Sequence, residues 1–506
     1  MANLASCRTF FPVSRGKWTS GLRKHQRYRH SFGDKRLGRR ARRVIAKMVN
    51  RRSGKAHHLA SSRAQRAGVY RFLSNEKVTL AELIHYVTDL DDPSLGNRKD
   101  VLALIDSCSI GLRLQSEKRM EWAHRHGVIG NDKNPGFSVM PSLLLDNQTN
   151  DCFGLGDIVL YDRPKSPPDK QQKKRLRRQR LQLTLEHKES SCWLVCARNT
   201  AAQLAGCERL TFVMDQGADQ LEVLAQIRQQ TGRDFIVRSK VDRLVRSLAQ
   251  NSCDKMSSHL EQAPVVARRA IAVPALDHLS KTAGKRVKRR ARQSTLEAKA
   301  IRVQLNNSYD HRTKAPLIEE PLSVVEVSED PSTVPLGEQP IKWRLLTTWP
   351  VTTTQQVWAV VDAYRSRWHV EQLFRVLKKG GIDIEKSQLD SPHKIKLLLV
   401  MALKASAQAI RLTTLRSGEH FVPLADLFTP EEHKILRKMN GELSGKTEKV
   451  TNPHDEESAA WAAWVVARMG GWHGYESQGL AGPVSMDRGL KELGVACRYA
   501  KIFGGP

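Results

Sequence analysis

The chain has 506 residues, 40% of them hydrophobic, so it is long enough for several domains and can bury a substantial core. Its 83 Lys and Arg against 52 Asp and Glu give a formal net charge of +31, which favours a polyanion such as nucleic acid as partner. The 8 cysteines are too few for a disulfide scaffold and lack zinc-finger spacing, so we expect a reduced, cytosolic protein. The longest apolar stretch, residues 395–410, contains Lys396 and Lys404, so we expect a buried helix and no membrane role.

The N-terminal region is strongly basic, and Asp34 is the only carboxylate within residues 22–52. A helix of this composition gains affinity for DNA by releasing counterions from the phosphate backbone, whereas the alternative is a solvated arm without a partner. Residues 1–95 are therefore predicted to form a helical DNA-binding domain. The side chains predicted to contact DNA there are Arg39, Arg40, Arg43, Tyr70 and Arg71. The same basic region includes Arg23, Lys24, Arg27, Arg29, Arg42 and Arg52.

Two short apolar runs each end in an aspartate. Residues 101–105 lead into Asp106, and residues 210–214 lead into Asp215, which is the pattern of buried strands in an α/β sheet. Ligands of such sheets gather beyond the carboxyl ends of the strands, so the two aspartates are candidates for one site. Each aspartate could equally cap the turn that follows it.

A later segment carries Tyr364, Arg367, Glu371 and Lys378 in the pattern Y-x2-R-x3-E-x6-K. At roughly 100° per residue, a continuous helix over residues 357–379 would put all four on one face. A carboxylate among two cations and a phenol exceeds what packing requires, although a plain surface acid is the alternative for Glu371. Phosphodiester chemistry needs charge neutralisation on both reacting oxygens, and hard divalent cations need oxygen ligands. Asp106, Asp215 and Glu371 are the candidate ligands.

These residues resemble the DDE transposases of the insertion-sequence-four group, in which the Y-x2-R-x3-E-x6-K pattern is a signature. The similarity runs along nearly the whole chain, and it includes the segments 105–109, 213–219, 237–240, 343–347 and 461–471. The resemblance implies an RNase H-like α/β core in which Asp106, Asp215 and Glu371 are catalytic and bind two Mg²⁺, with Mn²⁺ as a substitute. It also implies a bacterial protein of the nucleoid that acts on double-stranded DNA as a homodimer.

In this family, one strand is cleaved at each element end, the freed 3′-OH forms a hairpin, and the reopened end joins target DNA. By position, Tyr364, Arg367 and Lys378 match residues that grip phosphates, and Trp343 matches an aromatic that stacks on the flipped base, although Trp343 could be an ordinary core residue. Arg238 falls where the family has a DNA-contacting arginine, and Lys240 is predicted to contact DNA beside it.

The chain departs from the family after Asp215, where Gln216 and Gly217 replace an arginine and a glutamate. The main prediction is an active transposase. The alternative is a catalytically weak or inert regulator that binds DNA ends. A third possibility is a protein that packages RNA or DNA without sequence specificity, for which the net charge is the only indication.

The predicted domain order places a β-rich insertion inside the catalytic core. Residues 96–240 form the first part of an RNase H-like core, residues 241–345 the insertion, and residues 346–415 the closing helices of the core. Residues 416–506 are predicted to form a helical C-terminal dimerisation domain.

Overall fold

A computed structural model describes residues 32, 34–88, 98–113, 122, 127–130, 134–163, 169–279, 286–306, 318–445, 451–475 and 478–504. Arg23, Lys24, Arg27 and Arg29 of the predicted basic region lie outside these residues. The chain divides into two compact units, which we describe separately. Unit 1 consists of Met1–Glu208 and Trp368–Pro506, and unit 2 of Arg209–Arg367.

Helices and strands are numbered in chain order over the described residues. The helices are α1 Lys35–Arg51, α2 Arg63–Leu73, α3 Leu80–Thr88, α4 Lys170–Gln182, α5 Ser191–Gln203, α6 Leu221–Thr231, α7 Met256–Gln262, α8 Thr354–Arg365, α9 Trp368–Arg375, α10 Pro392–Leu415, α11 Pro430–Leu443, α12 Ala459–Met469 and α13 Pro483–Phe503. The strands are β1 Asp100–Ile105, β2 Cys108–Gly111, β3 Val128–Ile129, β4 Asn134–Asp146, β5 Gly154–Tyr161, β6 Arg209–Met214, β7 Asp234–Arg238, β8 Leu244–Ser247, β9 Cys253–Lys255, β10 Ala267–Val273, β11 Leu276–Leu279, β12 Arg286–Arg289, β13 Arg292–Leu305, β14 Leu322–Glu329 and β15 Lys342–Thr347.

The sheet of unit 1 is built around the long strand β4. Strands β1, β2, β3 and β5 all pair with β4 in antiparallel register. The pairing of β1 and β2 with β4 keeps one register, because Ile105 pairs with Ser142 and Cys108 with Val139. Asp106 therefore lies opposite Pro141, which has no backbone N–H to donate, and this fits the interruption between the two strands. The predicted strand ending at Asp106 is present, and it resumes two residues later.

The N-terminal helices of unit 1 pack onto its C-terminal helices. Helix α1 begins at a cap in which the Arg36 N–H donates to the Asp34 carboxylate at 2.7 Å. Its apolar stripe is buried, and α1 contacts α2, α10 and α13. The buried residues of this stripe are Leu37, Ala41, Val44, Ile45 and Met48. The opposite face of α1 therefore carries its cations.

The apolar segment 395–410 forms most of helix α10, which is buried over most of its length as predicted. Among the described residues, no helix has both the length and the apolar character needed to cross a membrane.

The sheet of unit 2 begins with the parallel pair β6 and β7. From β7 the order continues through β15, β14 and β13 to β8 and β9, all in antiparallel pairs, and β10 also pairs with β13. Much of the segment predicted as an insertion thus extends the sheet that β6 and β7 start. Residues 281–285 of its basic block lie outside the described residues.

The predicted continuous helix over residues 357–379 is wrong. Helix α8 ends at Arg365, two turn residues follow, and α9 begins at Trp368. The Arg367 N–H donates to the Tyr364 carbonyl three residues back, at 3.1 Å, which is the spacing of a tighter turn than the α-helix. Beyond Arg375 the chain continues as a π-helical turn over Val376–Gly380. The four signature residues consequently lie on separate segments, namely α8, the turn after it, α9 and the π-helical turn.

Candidate active site and nucleic-acid contacts

Asp106 lies half-buried at the break between β1 and β2 in unit 1. Its Oδ1 accepts a hydrogen bond from the Ser107 N–H at 2.7 Å, so the carboxylate is held by its own turn. Glu371 lies in the first turn of α9, a helix that packs against β1. Unit 1 therefore presents two of the three predicted acids on elements in direct contact.

Lys378 lies near Asp106 and contacts two side chains of the same unit, Glu385 and Cys108. Its ammonium lies 3.5 Å from Glu385 Oε1, which also accepts the Gly111 N–H at 3.0 Å. The pKa of the Cys108 thiol is raised, chiefly by burial, although a hydrogen bond and the positive charge of Lys378 oppose that rise and the charge of Asp106 adds to it. The cation at the end of the signature thus stands beside the strand break that carries Asp106.

Asp215 lies half-buried directly after β6 in unit 2. It caps a 3-10 turn over Gln216–Ala218, where its Oδ1 accepts the Gly217 N–H at 2.7 Å. Asp215 therefore caps the turn that follows it, which was the alternative to a role as ligand, but it uses one carboxylate oxygen to do so. Gln216 and Gly217 are exposed and bring no charge to the turn.

Tyr364 connects the aromatic and basic parts of the site in unit 2. It is 4% exposed, and its ring meets the Trp343 ring edge-on with centroids 5.7 Å apart. The Arg367 guanidinium lies 5.7 Å from the Tyr364 ring centroid. Burial raises the pKa of the Tyr364 hydroxyl, the positive charges of Arg367 and Arg238 oppose that rise, and the charge of Asp215 adds to it. These side chains therefore form one interacting group beside Asp215.

Trp343 and Arg238 lie on neighbouring strands of unit 2. Strand β15 pairs with β7 so that Leu345 faces Arg238, and the Arg238 guanidinium donates to the Lys342 carbonyl at 3.4 Å. Trp343 is half-buried, so it is neither a fully buried core residue nor a free surface residue. Lys240, two residues after Arg238, is exposed. The predicted DNA-contacting side chains thus cluster at the end of β7.

The predicted N-terminal contacts lie on the surface of unit 1. Arg39, Arg40 and Arg43 are exposed on α1, and Tyr70 and Arg71 are exposed on α2. The basic residues crowd one another, since the pKa of Lys47 is lowered by burial and then by Arg51 and Arg43. This crowding suits a phosphate backbone.

Arg52 does not belong to this basic surface. Its side chain is fully buried, and its Nε lies 2.5 Å from an oxygen of Asp487, which is equally buried. The guanidinium also donates to the Ala405 carbonyl and, at 3.3 Å, to Gln408. The prediction that Arg52 lines a phosphate backbone is wrong, because its charge is paired inside the fold.

The three predicted metal ligands divide between the units, with Asp106 and Glu371 in unit 1 and Asp215 in unit 2. Carboxylate oxygens are the ligand type that hard divalent cations need. Among the residues that the structure describes, no group of three or more His, Cys, Asp or Glu is arranged to hold a metal ion. The three-carboxylate metal site stays a prediction.

Two residues without an assigned role in the sequence are central to the geometry. Glu385 holds Lys378, and Asp219 binds the loop that follows Arg238. The sequence offers little signal for Glu385, because its contact with the Gly111 N–H joins residues 274 positions apart in the chain. Asp219 belongs to the motif that follows Asp215, and that position was the available signal.

Comparison with known protein families identifies two parts of the chain. Residues 189–407 match the family model described as the transposase DDE domain. Residues 23–78 match the one described as transposase DNA-binding. The first match includes Asp215 and Glu371 and begins after Asp106, and the second includes the exposed arginines of α1 with Tyr70 and Arg71.

Proposed function

We propose, from the transposase DDE domain and the transposase DNA-binding domain that this chain contains, that the protein is a cut-and-paste DNA transposase. It binds the inverted repeats at the ends of its element and cleaves them through a hairpin intermediate. The 3′-OH ends are then joined to target DNA. The observation that carries this proposal is the group formed by Asp215, Tyr364, Arg367 and Arg238, with Trp343 against Tyr364.

In this proposal Asp106, Asp215 and Glu371 are the catalytic carboxylates. Two Mg²⁺ ions held by these three residues, with Mn²⁺ as a substitute, would supply charge neutralisation at the attacking and leaving oxygens. Water attacks the phosphorus atom at the element end, and the bond to the 3′ oxygen breaks to leave a 3′-OH. That hydroxyl then attacks a phosphorus atom of the opposite strand, and the 3′ oxygen of the flanking DNA leaves as a hydroxyl. A second water attacks the same phosphorus atom of the hairpin, and the bond that breaks releases the 3′-OH of the element again.

The cations and aromatic rings of the site hold the DNA during these steps. Arg367, Arg238 and Lys378 offer positive charge to phosphates, and the Trp343 ring offers a face on which a flipped base stacks. The Arg367 guanidinium donates a hydrogen bond to the Tyr364 hydroxyl in the free protein, and the Trp343 ring packs edge-on against the Tyr364 ring. Tyr364 therefore orients Arg367 and Trp343 before DNA binds. The exposed cations of α1 with Tyr70 and Arg71 bind the end sequence, and two copies of the chain pair the two ends.

The second candidate function is a weak or inactive regulator that occupies DNA ends. It is favoured by the turn after Asp215, where exposed Gln216 and Gly217 bring no charge. Such a regulator binds the same ends with the same salt dependence but does not cut them.

The experiment that separates the two starts from the inverted repeats that flank the coding region. A linear duplex that carries one repeat is incubated with the purified chain and Mg²⁺, Mn²⁺ or EDTA, and the products are resolved on a denaturing gel. We expect a nick, then a hairpin, only with the divalent cation and only on repeat DNA. Binding without cleavage supports the regulator, and equal affinity for repeat and random duplexes supports neither.

A further inference from the structure

Asp219 is a buried acid that holds an exposed loop in unit 2. Its side chain is 0% exposed. Its Oδ2 accepts the N–H groups of Lys240 at 2.6 Å and Val241 at 3.0 Å, and the Ser239 hydroxyl donates to the same oxygen at 3.4 Å. Three consecutive residues of the loop after β7 are therefore tied to one carboxylate.

Arg243 completes this arrangement. Its guanidinium lies 2.6 Å from Asp219 Oδ1 and donates to the Asp219 carbonyl at 3.1 Å. The same side chain donates to the Ser239 hydroxyl at 3.2 Å and to the Val241 carbonyl at 3.4 Å. A buried carboxylate without a charged partner destabilises the fold, so Asp219 and Arg243 are expected to stabilise the loop as a pair.

The loop that this pair fixes carries the predicted DNA contacts. Ser239 also donates its N–H to the Arg344 carbonyl at 2.7 Å, so the segment is anchored on both sides. Lys240 uses its backbone N–H inward while the residue remains exposed. On the other side, Asp219 ends the 3-10 turn that Asp215 caps. One residue thus joins the turn of a predicted catalytic acid to the basic loop.

We propose that Asp219 and Arg243 are positioning residues that hold the Arg238–Lys240 segment in the conformation that binds the DNA phosphate backbone. This inference rests on the proposed function for the identity of the ligand. A loop that is already ordered loses less conformational entropy when it binds, so its affinity is higher than that of the same residues on a mobile loop.

A double-mutant cycle tests this proposal. Dissociation constants are measured for a duplex of the flanking repeat with the wild type, Asp219→Ala, Lys240→Ala and the double variant. We expect each single variant to weaken binding about tenfold and the double variant to be little weaker than either, because Asp219 acts through Lys240. A loss of about a hundredfold in the double variant, which is the additive result, overturns the proposal.

The salt dependence gives a second readout that a purely structural role would not produce. Removing a negative charge should leave or increase the slope of log Kd against log salt. We expect Asp219→Ala to decrease the slope by about 1, as Lys240→Ala does, because one DNA phosphate is then no longer neutralised. An unchanged or steeper slope in Asp219→Ala contradicts the positioning role.

Two further variants serve as controls, one for a loss of folding and one for the position of the change. Asp219→Asn combined with Arg243→Gln removes both buried charges but keeps a carbonyl acceptor for the loop, and we expect its Kd to lie within about threefold of wild type. If Asp219→Ala does not fold, failure of this neutral pair to bind overturns the proposal. Arg246→Ala, an exposed change on β8, should be additive with Asp219→Ala. If the wild type binds the repeat but does not cut it, the cycle still applies while the proposed activity fails.

Discussion

Asp157 is a carboxylate in the interior of unit 1. It lies on β5 and is 6% exposed, and the Asn199 amide donates to its Oδ2 at 3.1 Å. Burial raises its pKa from 3.8 to about 6, because one amide and one backbone hydrogen bond offset only part of the desolvation. The folded protein therefore binds a proton at this site more tightly than the unfolded chain.

This shift predicts a pH-dependent loss of stability. A raised acid pKa in the folded state means that stability is complete below the unfolded pKa of 3.8 and falls as the pH rises to about 6. At about 1.4 kcal/mol per unit, the loss above pH 6 is on the order of 2–3 kcal/mol. Asp157→Asn should recover most of that loss at pH 7.5 and little at pH 4, as measured by urea unfolding.

Asp426→Asn is the matched control, because Asp426 is exposed in the same unit. It should leave the free energy of unfolding within about 0.5 kcal/mol of wild type at both pH values. If Asp157→Asn destabilises the protein equally at pH 4 and pH 7.5, the buried carboxylate is not titrating as described.

Trp343 is predicted to act at the base-flipping step. Base stacking on an aromatic ring contributes about 1–3 kcal/mol, so Trp343→Ala should slow hairpin formation about tenfold to a hundredfold. First-strand nicking should change much less, because no base is displaced at that step. Single-turnover assays on repeat DNA measure both rates, and Trp343→Phe should retain most of the hairpin rate. Equal loss at both steps would count against the role.

Single residues show where sequence patterns suffice and where they do not. The exposure of Arg39, Arg40 and Arg43 follows from the helical period of the apolar stripe on α1. Arg52 belongs to the same run of cations, yet it is buried against Asp487, 435 positions away. No local pattern reveals such a partner, so composition overstates the basic surface at this position.

At the scale of elements, the interruption between α8 and α9 limits what periodicity predicts. The segment has no Gly or Pro between Tyr364 and Lys378, so nothing in its composition breaks the helix. At the break, the Arg367 N–H donates to the Tyr364 carbonyl, and the Ser366 hydroxyl donates to the Asp362 carbonyl at 3.2 Å. The helical character of this segment was predictable from the sequence, and the break between α8 and α9 was not.

The junction of α1 with α13 depends on the buried pair of Arg52 and Asp487. Arg52→Met leaves a buried carboxylate without its partner, so we expect the free energy of unfolding to fall by about 3–5 kcal/mol in urea titrations. The double change with Asp487→Asn should recover part of that loss, because no charge is then left inside. Arg40→Met, on the exposed face of the same helix, should change stability by about 0.5 kcal/mol or less. A double variant less stable than Arg52→Met would contradict this account.

At the scale of the whole molecule, the net charge of +31 suits a protein that neutralises DNA phosphates. Replacing Arg39, Arg40, Arg42 and Arg43 by Ala should flatten the slope of log Kd against log salt by about 0.9 for each phosphate that is no longer neutralised. Fluorescence anisotropy on repeat DNA between low and moderate salt measures this slope.

A charge-matched variant controls for the loss of net charge. It replaces four exposed cations on α11 and α13, namely Lys434, Arg437, Lys438 and Lys491. This control should leave the slope nearly unchanged. If the α1 variant also leaves it unchanged, that helix does not touch phosphate.

The mixed α/β organisation was predictable from the sequence, and the limits of the two compact units were not. The alternation of apolar runs and helical stripes indicates a mixed α/β chain with a helical, basic N-terminal region, and the transposase matches agree with it. The observed units divide after Glu208 and after Arg367. Such boundaries depend on long-range contacts, as when β15 pairs with β7 more than a hundred residues earlier. The predicted domain limits remain predictions.

The proposed function requires that Asp106, Asp215 and Glu371 act together in DNA cleavage. The most direct measurement is single-turnover cleavage of repeat DNA with Mg²⁺ by the variants Asp106→Asn, Asp215→Asn and Glu371→Gln. The Kd of each variant for the same DNA is measured in parallel. Glu186→Gln is the control, because Glu186 is an exposed acid. We expect each of the three variants to cut at least roughly a thousandfold more slowly than wild type, with Kd within about threefold of wild type. The control should cut at the wild-type rate. Cleavage near the wild-type rate by any of the three would contradict the account.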